Sequence, residues 1–185
     1  NGLTQSLVNL ARENHCTPFM LLHAVFSLLL SRLTSCQDIV IGTPVSNRTQ
    51  AGLNNLIGLF VNTLVLRTRC EGHTEFIQFL ADVRQVHIEA QKNKDVAFEQ
   101  LVERLDIQRS ASYSPIFQIM FSMDSVQQIE FGCPGIKVTP FASDTGQTKS
   151  EISLSVTHHT DGFALRYEYN TALFEAERVC DLNQC

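Results

Sequence analysis

Apolar residues in the first third of the chain recur every three or four positions, which is the spacing of one helix face. This pattern predicts a first helix that ends near Asn14. Thr17 and Pro18 then have the chemistry of an N-cap and a first helical residue, since the N–H that proline lacks would have no partner there. They open a second helix to about Leu33, which is apolar nearly all round and predicted to be buried, with His23 as a core histidine rather than a metal ligand.

Two runs rich in β-branched residues follow, and a polar loop separates them. Residues 39–41 are apolar throughout and too few for a helix, so they predict a buried strand. Gly42 and Pro44 end it, because proline cannot continue a strand ladder. The second strand is predicted at about residues 62–69. Loops held between strands often carry binding or catalytic groups, so this loop is the first candidate site.

The remaining chain alternates helical and strand patterns. The predicted elements are a third helix from Thr74 with His87 on a solvated edge, a short fourth helix capped by Asp95, strands at 116–123 and 136–139, a hairpin over 152–169 and a final helix that opens at Glu175. Helices that alternate with strands predict the α/β class, as a two-layer sandwich with a mixed β-sheet.

Composition narrows the class of protein. The 185 residues are enough for one domain with its own core, and 44% hydrophobic with 18% charged residues is typical of a globular chain. A net charge of -5 argues against nucleic acid or an anionic membrane as the main partner. The longest apolar stretch is too short to cross a bilayer.

The six cysteines contain no C-x-x-C pair and have irregular spacing. This pattern predicts neither a zinc site nor a disulfide framework. It favours reduced thiols in a cytoplasmic protein.

Asn47, Arg48 and Asn62 flank the polar loop and allow two interpretations. They could cap turns and pair with nearby carboxylates, which the spacing alone favours. Alternatively, they could form part of a functional edge.

Four sequence motifs, in a fixed order along the chain, favour the second interpretation. The runs DIVIGTPVSNR at 38–48 and IGLFVNTLVLR at 57–67 resemble two consecutive motifs of the condensation domains of nonribosomal peptide synthetases. KDVAFEQLV at 94–102 and SPIFQIMF at 114–121 resemble the next two. The chain departs from the family pattern at Lys92, where histidine or glutamine is common, and at Ala97, where the family has proline.

The resemblance implies a fold and an incomplete active site. Residues 1–185 would form the C-terminal lobe of a chloramphenicol-acetyltransferase-like fold, without the N-terminal lobe. The family's catalytic motif, His-His-x-x-x-Asp-Gly, belongs to that N-terminal lobe, so no catalytic residue is predicted in this chain. The run HHTDG at 158–162 has the wrong spacing and is predicted to be a hairpin turn. We therefore expect the chain alone to be inactive and to self-associate through an uncovered apolar wall.

The resemblance also assigns roles to individual residues. It implies that Phe60, Asn62 and Thr63 line a substrate tunnel. It implies that Asn47 and Arg48 hold a loop in place by hydrogen bonds and an ion pair. It also implies that Thr145, Gly146 and Lys149 belong to a crossover that reaches the partner lobe. On this basis Asn62→Ala is expected to slow condensation without affecting folding.

The implied partners are the N-terminal lobe and two carrier proteins, donor and acceptor, whose phosphopantetheine arms bring the substrates. No cofactor or metal is expected to bind this chain directly. The implied reaction is peptide-bond formation. Two alternatives stay open: a non-catalytic lobe that docks a carrier protein, and a related epimerisation, cyclisation or acyltransferase domain.

Overall fold

Five helices, five strands and one short 3₁₀ turn make up the regular structure of the described residues. The computed structural model describes residues 2–48, 51–72, 75–107, 110, 113–125, 146–159 and 161–182. The elements, in chain order, are α1 (Gly2–Glu13), α2 (Pro18–Thr34), β1 (Asp38–Ser46), the 3₁₀ turn (Ala51–Leu53), β2 (Val61–Arg69), α3 (Phe76–Lys92), α4 (Phe98–Arg104), β3 (Ile119–Ser125), β4 (Ile152–His158), β5 (Phe163–Tyr169) and α5 (Ala176–Asp181).

The strands form one sheet in the order β2-β1-β3-β4-β5. The two outer pairs, β1–β2 and β4–β5, are antiparallel, whereas β1–β3 and β3–β4 are parallel. Parallel neighbours require a crossover connection, and antiparallel neighbours can be joined by a short one. The predicted mixed sheet is confirmed.

The hydrophobic core lies between one face of the sheet and the helices α1, α2 and α3. Alternate strand residues point to this side, as expected for a pleated strand. Its members include Ile39 and Ile41 of β1, Phe121 of β3, Leu154 and Val156 of β4, and Leu21, Ala24 and Phe26 of α2. The buried α2 was predicted from its apolar composition and is confirmed. No single helix in the described residues is long and apolar enough to cross a membrane; α1 and α2 meet that test only together, and they are bent by 101° at their junction.

The second helix begins where the sequence predicts. Thr17 Oγ1 accepts the Met20 N–H at 3.2 Å, and Pro18 is the first helical residue. Ser35 ends the helix in the left-handed conformation, with φ of 55°. Local chemistry therefore determines both ends of this element.

Helix α4 lies on the other face of the sheet. A Cβ built on Gly42 would lie 2.4 Å from the Phe117 ring, so this ring covers the backbone of β1 on the face opposite the core. The Phe98 ring of α4 packs against Phe117 with centroids 5.5 Å apart. The two-layer description thus holds for α1, α2 and α3, while α4 adds a partial third layer near β1 and β2.

The predicted cap of α4 is wrong. The N-cap residue is Ala97, whose side chain cannot accept a hydrogen bond, and not Asp95. Asn62 Oδ1, from the start of β2, accepts the Phe98 N–H at 3.3 Å instead. A cap supplied by another element leaves no mark in the local sequence.

Other boundaries differ by a few residues. The prediction that Gly42 and Pro44 end the first strand is wrong, since β1 continues through both to Ser46, paired with β2 on one side. Helix α3 begins at Phe76 rather than at Thr74, with Glu75 as its N-cap, and β3 begins at Ile119 rather than at residue 116. The strand predicted at 136–139 lies outside the described residues. The predicted hairpin is confirmed, because β4 and β5 pair antiparallel and, between them, the His159 N–H donates to the Gly162 carbonyl at 2.8 Å.

Candidate functional site

The sheet opens where β1 and β3 separate. The two strands pair only at Ile41 with Ile119 and at Gly42 with Met120. Beyond these pairs β1 continues with β2 as far as Ser46, while β3 continues with β4 to its last residue. Ligands of α/β sheets bind beyond the carboxyl ends of parallel strands, at the point where the chain connections diverge to opposite sides. The gap is therefore the first candidate for a ligand site.

This gap holds a cavity of about 300 Å³, which we call the strand-gap crevice. Its lining combines strand and helix residues: Phe19, Thr43, Pro44, Val45, Leu64, Leu66, His87, Gln91, Ser122, Met123 and Asp124. The wall is mixed, since six of these eleven residues are apolar and five are polar. It therefore offers both apolar contacts and hydrogen-bonding groups to a small ligand.

Two buried histidines lie at the crevice, and one of them, His87, lines it. His87 Nε2 lies 3.2 Å from His23 Nδ1, and the rings meet edge to face with centroids 4.8 Å apart. His87 is 3% exposed and His23 is completely buried. The prediction of a solvated edge at His87 is wrong, because α3 turns this residue toward α2. His23 is a core histidine as predicted, yet its Nε2 has no partner in the described residues.

Burial keeps both imidazoles neutral. Burial first, and the neighbouring His87 second, lower the pKa of His23 to about 3. Burial lowers the pKa of His87 to about 4. A hydrogen bond between two neutral imidazoles requires one ring nitrogen to donate and the other to accept. His87 is consequently a weak base at neutral pH.

Asn62 is fully engaged in holding the α3–α4 connection. Its Nδ2 donates to the carbonyl oxygens of Lys94 and Val96 at 2.7 and 2.8 Å. Its Oδ1 accepts the Phe98 N–H at 3.3 Å and the Thr63 N–H at 2.9 Å. This geometry matches the capping interpretation, and a role in a substrate tunnel stays a prediction for Asn62 and Thr63.

Arg48 holds an apolar loop, which we define as residues 53–61. Its Nη1 donates to the carbonyl oxygens of Leu53 and Leu56, and its guanidinium carbon lies 4.2 Å from the centroid of the Phe60 ring. The Asn47 N–H donates to the Phe60 carbonyl at 2.7 Å. In the part of the chain that is described Arg48 has no carboxylate partner, so a cation–π contact takes the place of the expected ion pair.

The apolar loop is anchored at its base and uncovered at its tip. Ile57 is fully exposed and Leu59 is 91% exposed, with Leu56 and Val61 more than half exposed. Contiguous exposed apolar residues mark interaction surfaces. Phe60, predicted to line a tunnel, lies at the anchored base under Arg48.

Two of the three predicted crossover residues, Gly146 and Lys149, lie on the β4–β5 side of the sheet, away from β2. Gly146, with φ of 63°, lines a polar hollow of about 580 Å³ beside β5, together with Arg166 and Asn170. Lys149 is exposed just before β4, and Thr145 lies outside the described residues. Among the described residues, Gly146 and Lys149 therefore do not lie near the apolar loop. No cluster of three or more His, Cys, Asp or Glu that could hold a metal occurs in the described residues.

Comparison with known proteins identifies the family. The condensation domain model matches residues 1–184. A plipastatin synthase of Bacillus subtilis (strain 168) is 36% identical over 177 residues, which cover 96% of this chain and 7% of the relative. A linear gramicidin synthase of Brevibacillus parabrevis is 38% identical over 180 residues, covering 96% of this chain and 2% of that protein. The chain thus spans a small part of these relatives.

Solved structures confirm the fold. A four-domain nonribosomal peptide synthetase with bound AMP and glycine superposes with a TM-score of 0.89 at 26% identity, over 99% of this chain and 15% of that one. The condensation domain of the monacolin K polyketide synthase MokA superposes with a TM-score of 0.84 at 24% identity, over 96% of this chain and 41% of that one. The X-domain of teicoplanin biosynthesis, solved in complex with OxyB, superposes with a TM-score of 0.86 at 22% identity, over 99% of this chain and 41% of that one. The predicted α/β class and the chloramphenicol-acetyltransferase-like fold are confirmed, and the chain belongs to the condensation-domain family of nonribosomal peptide synthetases.

Proposed function

We propose that this chain is the C-terminal lobe of a peptide-bond-forming condensation domain. The amine of an acceptor aminoacyl thioester attacks the carbonyl carbon of a donor thioester, and both are carried on the phosphopantetheine arms of carrier proteins. A C–N bond forms, the C–S bond breaks, and the donor thiol leaves with a proton. The observation that carries the proposal is the family match over residues 1–184.

The lobe assignment is supported by size and by surface. The chain aligns with 41% of the MokA condensation domain chain, which leaves room for a second lobe in the complete domain. The anchored apolar loop is what a contact with that lobe requires, since Ile57 and Leu59 have no cover in the described residues. The strand-gap crevice then forms part of one wall of the reaction chamber.

The proton acceptor comes from outside this chain. Thioester aminolysis needs alignment of the two reactants and a base with a pKa near the working pH. His23 and His87 are neutral and bonded to each other, with pKa values near 3 and 4. His158 packs on Phe163 with ring centroids 4.7 Å apart, at the end of a hairpin. On the proposed function, this chain supplies binding and orientation, and the other lobe supplies the base.

A docking lobe without chemistry is the second candidate. It is favoured by the likeness to the teicoplanin X-domain, which was solved in complex with the protein OxyB. At 22% identity that likeness extends to the fold alone. In this case the apolar loop would contact a protein partner and no thioester would react.

The deciding experiment uses the synthetase that contains this chain. Its donor and acceptor carrier proteins are loaded with aminoacyl groups, and the acceptor carrier is followed by intact-protein mass spectrometry. The proposal predicts a dipeptidyl group on the acceptor carrier. A synthetase that retains both carriers and binds them but transfers nothing would favour the docking lobe. The matched control is the 185-residue chain alone with the same carriers, which is expected to give no transfer.

A further inference from the structure

The strand-gap crevice has the size and lining of a pocket for part of a ligand. Its volume of about 300 Å³ is at the lower end of the range for small-molecule sites. Phe19, Leu64 and Leu66 supply apolar wall, whereas His87 and Gln91 supply hydrogen-bonding groups. A side chain with an apolar stem and one polar end is complementary to this lining.

His87 offers a free ring nitrogen on this wall. Its Nε2 is bonded to His23, and no hydrogen bond joins its Nδ1 to any described residue. His87 Nδ1 is not fully enclosed by protein. The side-chain atoms that are fully enclosed and have no partner in the described residues are His23 Nε2, Ser27 Oγ and Asn47 Oδ1. The ring is almost fully buried and lines the crevice, so Nδ1 has access to the crevice rather than to bulk solvent.

The histidine pair determines what this nitrogen can bind. If His87 Nε2–H donates to His23, then His87 Nδ1 is an acceptor. If His23 Nδ1–H donates instead, His87 Nδ1 carries the proton and is a donor. Either arrangement leaves the pair uncharged, because burial lowers both pKa values far below neutrality. Asp124 is also among the lining residues, and its negative charge disfavours an anion nearby.

We infer that the strand-gap crevice is a selectivity pocket for a neutral, hydrogen-bonding side chain of one of the two aminoacyl units, with His87 Nδ1 as its polar contact. Hydroxyl and primary amide side chains fit this chemistry, whereas carboxylate side chains do not. The inference rests on the proposed function and names the substrate class that this part of the chamber accepts.

The first test observes His87 directly. The chain is labelled with ¹⁵N-histidine and titrated with N-acetylcysteamine thioesters of serine, glutamine, leucine and aspartate. The seryl and glutaminyl thioesters are expected to shift the His87 Nδ1 resonance with saturation, and the aspartyl thioester is expected to leave it unmoved. Equal shifts of the His87 Nδ1 resonance with all four thioesters, or no shift with any of them, would overturn the inference. This test needs no substitution in the chain.

The second test uses His87→Phe, which keeps a ring of similar size and removes the hydrogen bond. In the intact synthetase it is expected to lower the preference for seryl or glutaminyl over leucyl substrate, measured as a ratio of kcat/KM, by about tenfold or more. His159→Phe, in the β4–β5 turn, is the matched control and should leave the ratio unchanged. A normal yield of dipeptide with unchanged preference in His87→Phe would overturn the crevice inference alone, whereas no dipeptide from the wild-type synthetase would overturn the proposed function as well.

Discussion

Among single residues, Asn62 shows how one side chain can join three elements. Its amide bonds to the backbone after α3, to the first residue of α4 and to its own strand β2. The sequence indicated a special role for Asn62, but its partner in α4 lies 36 positions away. No local pattern predicts a contact at that separation.

Asn62→Ala is expected to lower the free energy of unfolding by about 2 kcal/mol, because it removes a helix cap and two bonds to backbone carbonyls. This replaces the expectation that folding would be unaffected. Urea unfolding followed by circular dichroism measures the change. Asn55→Ala, an exposed neighbour in the same loop region, is the control and should change stability by less than about 0.5 kcal/mol. Equal effects of the two variants would contradict the capping role.

The histidine pair predicts loss of stability in acid. The folded-state pKa values of His23 and His87, about 3 and about 4, lie below the usual 6.5. At pH values between the folded-state pKa and 6.5, the unfolded chain therefore binds more protons than the folded chain. Stability from this pair is complete above pH 6.5 and falls as the pH is lowered toward 4. Each histidine contributes a slope of up to about 1.4 kcal/mol per pH unit.

Unfolding measured from about pH 7.5 to about pH 4.5, the range in which an ordinary histidine titrates, checks this prediction. The comparison variant is His23→Leu with His87→Leu, which removes both titrating groups from the core. Its stability should depend less steeply on pH than that of the wild type. Parallel curves for the two proteins would show that the pair is not responsible.

Among helices and strands, the sequence predicted most elements because their signals are local. The Thr17 cap, the apolar α2 and the β4–β5 turn each depend on neighbouring residues. The cap of α4 and the separation of β1 from β3 depend on other elements, and they were not predicted. The crevice and the histidine pair belong to this second group, since His23 and His87 are 64 positions apart.

Gly42 couples β1 to the layer formed by Phe117 and α4. Gly42→Ala would place a Cβ 2.4 Å from the Phe117 ring, so the ring must move and its contact with Phe98 is disturbed. We expect a loss of about 1–3 kcal/mol in the free energy of unfolding, typical of overpacking. Adding Phe117→Leu to Gly42→Ala should recover part of it, as a double-mutant cycle would measure. Gly52→Ala is the control, because nothing lies within 4 Å of a Cβ built at that position.

In the molecule as a whole, the apolar loop is a surface that the described residues leave uncovered. The isolated chain is expected to self-associate as its concentration rises, because Ile57 and Leu59 are exposed at the tip of a loop whose base is held in place. Ile57→Ser with Leu59→Ser should restore a monomer in light scattering after size-exclusion chromatography. Leu3→Ser, at an exposed position of α1, is the control and should not. A wild-type chain that stays monomeric at all concentrations would contradict this prediction.

Complementation in trans can decide whether this chain is one half of an active condensation domain. The 185-residue chain is mixed with the separately expressed remainder of the condensation domain from its synthetase, and dipeptide formation on loaded carrier proteins is measured. We predict that neither part is active alone and that the mixture regains transfer, which Ile57→Ser with Leu59→Ser then weakens. Peptide formation by this chain alone, or none by the covalently intact domain, would contradict the assignment.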